Sequence, residues 1–338
     1  MKVGIIGGGK IAERHIYGYR HFDDVEIFIA DIDGNITQKI CDKLGVNFSI
    51  APEVILGDST IDIIDVCTPT PFHKDLILEG IKRRKHVFCE KPLCMNLEEA
   101  VEIKKAAEQT DRIVMVGYLY RFHPGFEFAK QVLDEGIIGT PHFAIFRLGG
   151  RGSHREWKHK KSEGGGAISE MLVHKLDLIL WFFGEITAAN ALINETVLPS
   201  RNISGKETKA DAEDYVVLDI NANGTRILCE SDLITPSYME YIEIHGDNGS
   251  IFTSILPHFP TVIHCKEARN IYSEGNNFRN FPGTNLFEKE LGHFLTAIKT
   301  RARTMNSIED SVKIFQIIEQ IEGVFQEDSF LNIKGVAV

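Results

Sequence analysis

Within the stretch GGGAISEMLVHKLD (164–177), Glu170, His174 and Asp177 have the types and the spacing that proton chemistry needs. At i, i+4 and i+7 they share one face of a helix. Histidine takes up and returns a proton near neutral pH, and a carboxylate one turn away can orient it or accept a hydroxyl. Met171, Leu172, Leu176, Leu178, Ile179 and Trp181 supply apolar surface around this stripe, so a self-satisfied buried network is a second reading. A metal site is a third, but Glu170 and His174 provide only two ligands and the sequence indicates no other.

Lys91 is the complementary group. It follows the apolar run 85–89, which reads as a buried parallel strand, and so falls just past a carboxyl end, where open α/β sheets bind ligands. A lysine there is either a solvated surface charge or a donor to a substrate hydroxyl that stabilises the alkoxide formed on oxidation.

A second glycine cluster opens the chain in KVGIIGGGKIA (2–12). Gly7, Gly9 and Ala12 fit G-x-G-x-x-G/A directly after a strand, and Lys10 and Ile11 begin the helix that follows. Gly7 permits the tight turn, Gly9 admits a pyrophosphate to the backbone, and Ala12 lets helix and strand pack closely. The next strand ends in Asp31, whose carboxylate accepts from ribose hydroxyls and repels a 2′-phosphate. The expected cofactor is NAD, with NADP disfavoured. The glycines at 164–166 are then expected to let the chain pass close to a substrate.

These groups need a scaffold. The first 120 or so residues alternate apolar runs (2–6, 25–30, 61–67, 85–89, 112–118) with helical patterns such as 74–84 and 97–109, the rhythm of βαβ units. Asn96, three residues before Glu99, fits an N-cap. From about residue 140 the runs 141–149, 186–197, 214–221, 225–233, 239–246 and 249–255 read as antiparallel strands. Turns at Asn223-Gly224 and Asp247-Asn248-Gly249 call for positive φ. Segments 166–183, 285–300 and 308–322 read as helices, and 199–213 and 272–284 as loops. The expected fold is α/β: a Rossmann dinucleotide-binding domain (1–122), then an α/β domain with a large open, mainly antiparallel sheet for substrate and oligomerisation (123–338).

Length and charge narrow the function classes. At 338 residues two domains are expected, and a net charge of −11 disfavours a general nucleic-acid or anionic-membrane binder. No apolar run approaches the roughly 20 residues of a bilayer span. The N-terminus lacks a signal-peptide pattern, and six cysteines without CxxC spacing read as buried thiols, so a reducing cytoplasm is expected.

The order TPTPFH (68–73), KHVFCEKPL (85–93), GYLYRFHP (117–124) and GGGAISEMLVHKLD (164–177) resembles the Gfo/Idh/MocA oxidoreductases, the glucose–fructose oxidoreductase and inositol dehydrogenase group. The resemblance implies NAD(P), a sugar or polyol substrate, a cis Lys91–Pro92 bond that aims Lys91 inward, and a homodimer or homotetramer. It puts Thr68, Pro69, His73, Glu90 and Lys91 on the cofactor side and makes His174 the acid/base, with Lys91 and Glu170 also catalytic. Glu170 stands where the family has aspartate, and Leu172 where it has glycine. Arg121, Trp157, Lys158, Asp177 and Tyr238 are candidate substrate contacts, Tyr238 by likeness to the inositol dehydrogenase branch. His154 and His159 read as solvated loop residues. The expected activity is NAD-dependent oxidation of a hydroxyl-bearing carbon on a sugar, polyol or nucleotide sugar. The alternatives are an NAD-dependent glycosidase using transient oxidation and a cofactor-sensing regulatory protein.

Overall fold

In the computed structural model, described residues are 1–49, 51–150, 155–203, 205–328, so His154 lies outside them. The first domain winds β1 (Lys2–Ile6), α1 (Lys10–Tyr19), β2 (Glu26–Ala30), α2 (Gly34–Leu44), β3 (Asn47–Ser49), α3 (Pro52–Gly57), β4 (Ile63–Val66), α4 (His73–Lys82), β5 (His86–Glu90), α5 (Leu97–Glu108) and β6 (Val114–Gly117). All neighbouring strands are parallel, in the order β3-β2-β1-β4-β5-β6. The order reverses between β1 and β4, the position where such sheets open a crevice at their carboxyl ends. β4 and β6 are buried at every position, which explains their unbroken apolar character. Asn96 caps α5 as the sequence indicates, its Oδ1 accepting from Glu99 N at 3.0 Å, while the Glu99 carboxylate accepts from Met95 N at 2.9 Å.

The second domain begins with α6 (Pro124–Asp134) and β7 (Pro141–Gly149). After the Ile168–Leu172 turn come α7 (Val173–Phe183), β8 (Ile186–Glu195), β9 (Ser200–Ile203), β10 (Lys206–Lys209), β11 (Tyr215–Ala222), β12 (Thr225–Asp232), β13 (Met239–Gly246), β14 (Gly249–Thr253), β15 (Thr261–Cys265) and β16 (Gly275–Arg279). Eight of these strands form one sheet, β16-β15-β14-β13-β7-β12-β11-β8. It is antiparallel except for the central β7–β12 pair, which is parallel. α7 packs on β7, β8 and β11, and large apolar side chains such as Leu192 and Phe278 remain exposed elsewhere on the strands.

Three local readings are corrected. Segment 199–213 contains the β9–β10 ribbon, and 272–284 contains β16; both are mostly exposed, so neither needs the apolar alternation that marks a strand in sequence. The Asn223-Gly224 turn has φ of 47° and 84° as expected, but Asp247 and Asn248 turn the β13–β14 hairpin without positive φ. The helix at 166–183 starts as a π turn over Ile168–Leu172 and becomes regular only at Val173.

The chain then returns to the first domain. α8 (Leu286–Thr300) lies against α1, burying Leu291, Phe294 and Leu295 in the core with Ile16 and Tyr19. α9 (Ile308–Asp328) packs on α5 and α7. Among the described residues the two last helices thus meet the dinucleotide-binding domain, α8 through α1 and α9 through α5.

α7 is anchored to its own sheet by charge. Lys175 and Glu240, both wholly buried, form an ion pair, and Glu240 Oε2 also accepts from Ile255 N at 2.8 Å and Ser254 Oγ at 3.2 Å. Removing one partner strands the other in an apolar core. Lys175→Met is expected to lower stability by about 3–5 kcal/mol in chemical denaturation, and Lys175→Met with Glu240→Leu to recover only part of the loss, because Ile255 N and Ser254 Oγ lose their acceptor.

Candidate active site

The β1–α1 loop meets the requirements of a dinucleotide. Gly7 has φ 102°, and a Cβ there would lie 2.7 Å from the Cys67 carbonyl oxygen. Only glycine tolerates both constraints. A Cβ on Gly9 would meet nothing within 4 Å, so open space lies beside the helix start. No side chain caps α1, which leaves its first N–H groups and their positive potential for an anion. Ala12 is wholly buried against the sheet, Ile11 is partly buried and Lys10 exposed. Asp31 accepts from Gly8 N at 2.6 Å and from Asp33 N at 2.9 Å, so its carboxylate is fixed at the end of β2. Across the crevice, Thr68 Oγ1 is buried without a hydrogen-bond partner.

The turn after β5 carries Lys91. The Lys91–Pro92 peptide is cis. His73 bridges this turn to the β4 loop, with Nδ1 2.8 Å from the Pro92 carbonyl and Nε2 2.9 Å from the Thr68 carbonyl. Buried between the two loops and kept neutral by burial, His73 can donate to one of these carbonyls at a time. Glu90 Oε2 accepts from the Lys91 amide at 3.2 Å. The Lys91 ammonium leaves this turn and donates to the Glu170 carbonyl at 3.1 Å, joining the two domains.

The second glycine triplet is crowded by protein atoms. A Cβ on Gly165 would sit 2.4 Å from the Lys158 carbonyl oxygen, and one on Gly166 2.2 Å from Glu213 Oε1. Gly166 N donates to the Lys158 carbonyl at 3.1 Å, and Glu213 Oε1 accepts from Ile168 N at 3.0 Å. The glycines thus admit protein backbone and a carboxylate at close range. Their packing draws Lys158 onto Glu170, whose carboxylate it pairs with. Lys158 also lies over the Trp157 ring at 5.0 Å.

His174 sits one turn on. Its ring stacks on Tyr120 with centroids 4.5 Å apart, and Nδ1 has no hydrogen-bond partner. Tyr120 in turn bonds the half-exposed Tyr238 through their hydroxyls. Burial pushes the imidazole well below its usual pKa, and Lys91, Lys175 and Lys158 push the same way, so it is neutral at pH 7. Burial lowers the Lys91 ammonium, partly countered by Glu170. Burial would raise Glu170, but Lys91 and Lys158 outweigh it and keep the carboxylate charged.

Lys91, Lys158, Glu170, His174 and Tyr238 are therefore brought together. Arg121 and Asp177 are not available with them. Arg121 Nε and Nη2 grip Asp177 at 2.9 and 2.6 Å, Nη1 donates to the Met305 carbonyl at 2.7 Å, and Asp310 accepts at 3.0 Å. This sealed clamp fastens α7 to the loop before α9. His159, read as solvated, is buried. Sequence reasoning missed Tyr120, although it adjoins Arg121 in GYLYRFHP. It also missed the buried cluster of His15 with Asp65 and Glu90.

A nucleotide crevice facing a lysine and a neutral histidine defines a dinucleotide-dependent oxidoreductase of two domains. Residues 1–118 match the oxidoreductase family with an NAD-binding Rossmann fold, and residues 126–252 match the Gfo/Idh/MocA C-terminal domain. The chain belongs to the Gfo/Idh/MocA oxidoreductase family. It is 26% identical over 311 residues to myo-inositol 2-dehydrogenase of Thermotoga maritima, covering 91% of this chain and 89% of that one. Levoglucosan dehydrogenase of Pseudarthrobacter phenanthrenivorans is 27% identical over 290 residues, 74% of this chain and 73% of its own. A levoglucosan dehydrogenase structure in complex with NADH and L-sorbose superposes with a TM-score of 0.89 at 22% identity, covering 97% of both chains. Among the described residues, no helix is long and apolar enough to cross a membrane.

Asp31 is the group expected to select NAD. Asp31→Ala should narrow the ratio of NADH to NADPH affinity by about tenfold or more, one charge contact being worth roughly 1.4 kcal/mol or more in a confined site. Fluorescence titration with both cofactors checks this, and an unchanged ratio would remove Asp31 from cofactor selection.

Proposed function

We propose that this protein oxidises a secondary hydroxyl of a cyclic polyol or sugar, free or nucleotide-linked, with NAD. The observation that carries the reading is the convergence of Lys91 from the first domain with Glu170 and His174 from the second, beside an uncapped helix N-terminus. The named relatives, which act on inositol and levoglucosan, support this substrate class.

Gly7, Gly9, Lys10, Ile11, Ala12, Asp31, Thr68 and Pro69 would hold NAD, with His73 and Glu90 supporting the loops around it. When bound, its nicotinamide accepts two electrons and the hydrogen from the substrate carbon. His174, kept neutral by burial and by the lysines around it, takes the hydroxyl proton. The Lys91 ammonium donates to the same oxygen and steadies the charge that develops there. Glu170 holds both lysines, Lys158 through its carboxylate and Lys91 through its carbonyl. Trp157, Lys158 and Tyr238 line the approach for the sugar's other hydroxyls. Six free buried cysteines support work in a reducing cytoplasm. The apolar side chains left exposed on the large sheet support a homodimer or homotetramer, which sedimentation tests.

A panel of polyols, sugars and nucleotide sugars scored by NADH absorbance tests the activity. Sugar release without NADH would instead mark a transient-oxidation hydrolase, and NADH binding without any turnover a sensor. His174→Ala and Lys91→Met are each expected to lower kcat/KM by about 10²–10⁴-fold, and a loss of only a few fold would exclude the residue from the chemistry. Oxidation needs unprotonated His174. Because its pKa lies well below 6.5, kcat/KM should stay level down through pH 6.5 and fall only in more acid solution. Lys158→Met removes a nearby positive charge, favours the imidazolium and should move that acid limb upward; a downward move would contradict the electrostatic account.

A further inference from the structure

Beneath the catalytic turn, His15 on α1 is completely buried between two carboxylates. Its Nδ1 lies 2.8 Å from Asp65 Oδ2 and its Nε2 3.0 Å from Glu90 Oε1. Ionised carboxylates only accept, and a neutral imidazole has one N–H, so a proton on each nitrogen satisfies both contacts. Cys67 Sγ is 3.4 Å from Nδ1 and donates to Asp65 Oδ1 at 3.5 Å. Tyr19 and Glu290, both fully buried, close the cluster, and the ring packs edge-on against Phe88. Burial opposes the charge on His15, but Asp65 outweighs it and holds the pKa well above the usual value. Burial and the charge of Glu90 push Glu290 far up, so it stays neutral. The 2.8 Å contact is a hydrogen bond; ligand atoms sharing a tetrahedral zinc would stand roughly 3.3 Å apart.

Glu90 is what gives this cluster a consequence. One carboxylate oxygen accepts from His15 and the other from the Lys91 amide. The same helix that carries His15 offers its N-terminus to the dinucleotide. We propose that His15 is a positioning residue: by holding Glu90 against the Lys91 amide, it fixes where the Lys91 ammonium points and couples that setting to the cofactor helix. The proposal rests on the role assigned to Lys91 above.

The test uses the full chain saturated with NADH and a small amine-acylating reagent, with modification read peptide by peptide by mass spectrometry. Exposed Lys82 serves as internal reference. His15→Gln keeps a polar amide but carries its donors on a single nitrogen, so it cannot bridge the two carboxylates, and Glu90→Gln keeps the side-chain volume. In each, Lys91 should be modified about threefold faster or more relative to Lys82, and kcat should fall about tenfold to hundredfold, the effect of misplacing a reacting group by about 1 Å. KM for NAD should stay within about twofold, and the double variant should be no worse than the weaker single, since both break one chain of contacts. A His15→Gln protein whose Lys91 modification and kcat match the parent overturns the proposal. So does a kcat loss with unchanged Lys91 modification and an equal loss of NADH affinity, which marks general loosening. If the parent turns over no substrate in the panel, the proposed reaction falls, while Lys91 modification still decides the role of His15. Should His15→Gln fail to fold, Glu90→Gln decides by the same readings.

Discussion

The hydrogen bond from Lys91 Nζ to the Glu170 carbonyl is the contact on which the site depends, because it joins a strand end in one domain to a helix start in the other. A flexible lysine holds such a place only if both sides are rigid. On the first side, buried His73 packs between the Pro92 and Thr68 carbonyls, and Glu90 holds the Lys91 amide. On the second, the π turn at Ile168–Leu172 is pinned by Glu213 and by the Lys158 backbone against two glycines. Two further ion pairs, Arg121 with Asp177 and Lys175 with Glu240, fasten α7 at depth. Buried ion pairs of this kind contribute little net stability, but they penalise any shift of the helix that would part them.

The electrostatics follow from the same arrangement. Positive charge gathers around His174 because Lys91 and Lys158 both reach Glu170 and Lys175 lies behind. That charge, with burial, keeps the imidazole neutral and able to accept a proton. The cluster below the turn has the opposite bias, with carboxylates around one imidazolium. The chain thus places two histidines in contrasting protonation states on either side of one lysine, using burial and neighbours alone.

Much of the fold was legible because its signals are local. The run KVGII, the glycines after it and Asp31 report one βαβ unit, and Asn96 with Glu99 reports a helix start; each needs only residues close in sequence. Lys91, Glu170 and His174 were legible as chemistry-bearing residues for the same reason. The β9–β10 ribbon and β16 were not, since exposed strands carry no apolar periodicity. Nor could sequence separate Arg121 and Asp177 from the pocket, because what withdraws them is each other, together with Asp310 on a helix more than a hundred residues away.

The sequence by itself determined the two-domain α/β plan, the dinucleotide loop and which residue types could move a proton. Tertiary structure decided what each polar group faces: that the second glycine triplet admits Lys158 and Glu213, that Tyr120 stacks on His174, and that His15 lies between Asp65 and Glu90. Backbone periodicity is set by a few neighbouring residues. The partner of a buried charge is set by whichever distant segment the packed core brings within hydrogen-bonding range, and only the folded chain specifies that segment.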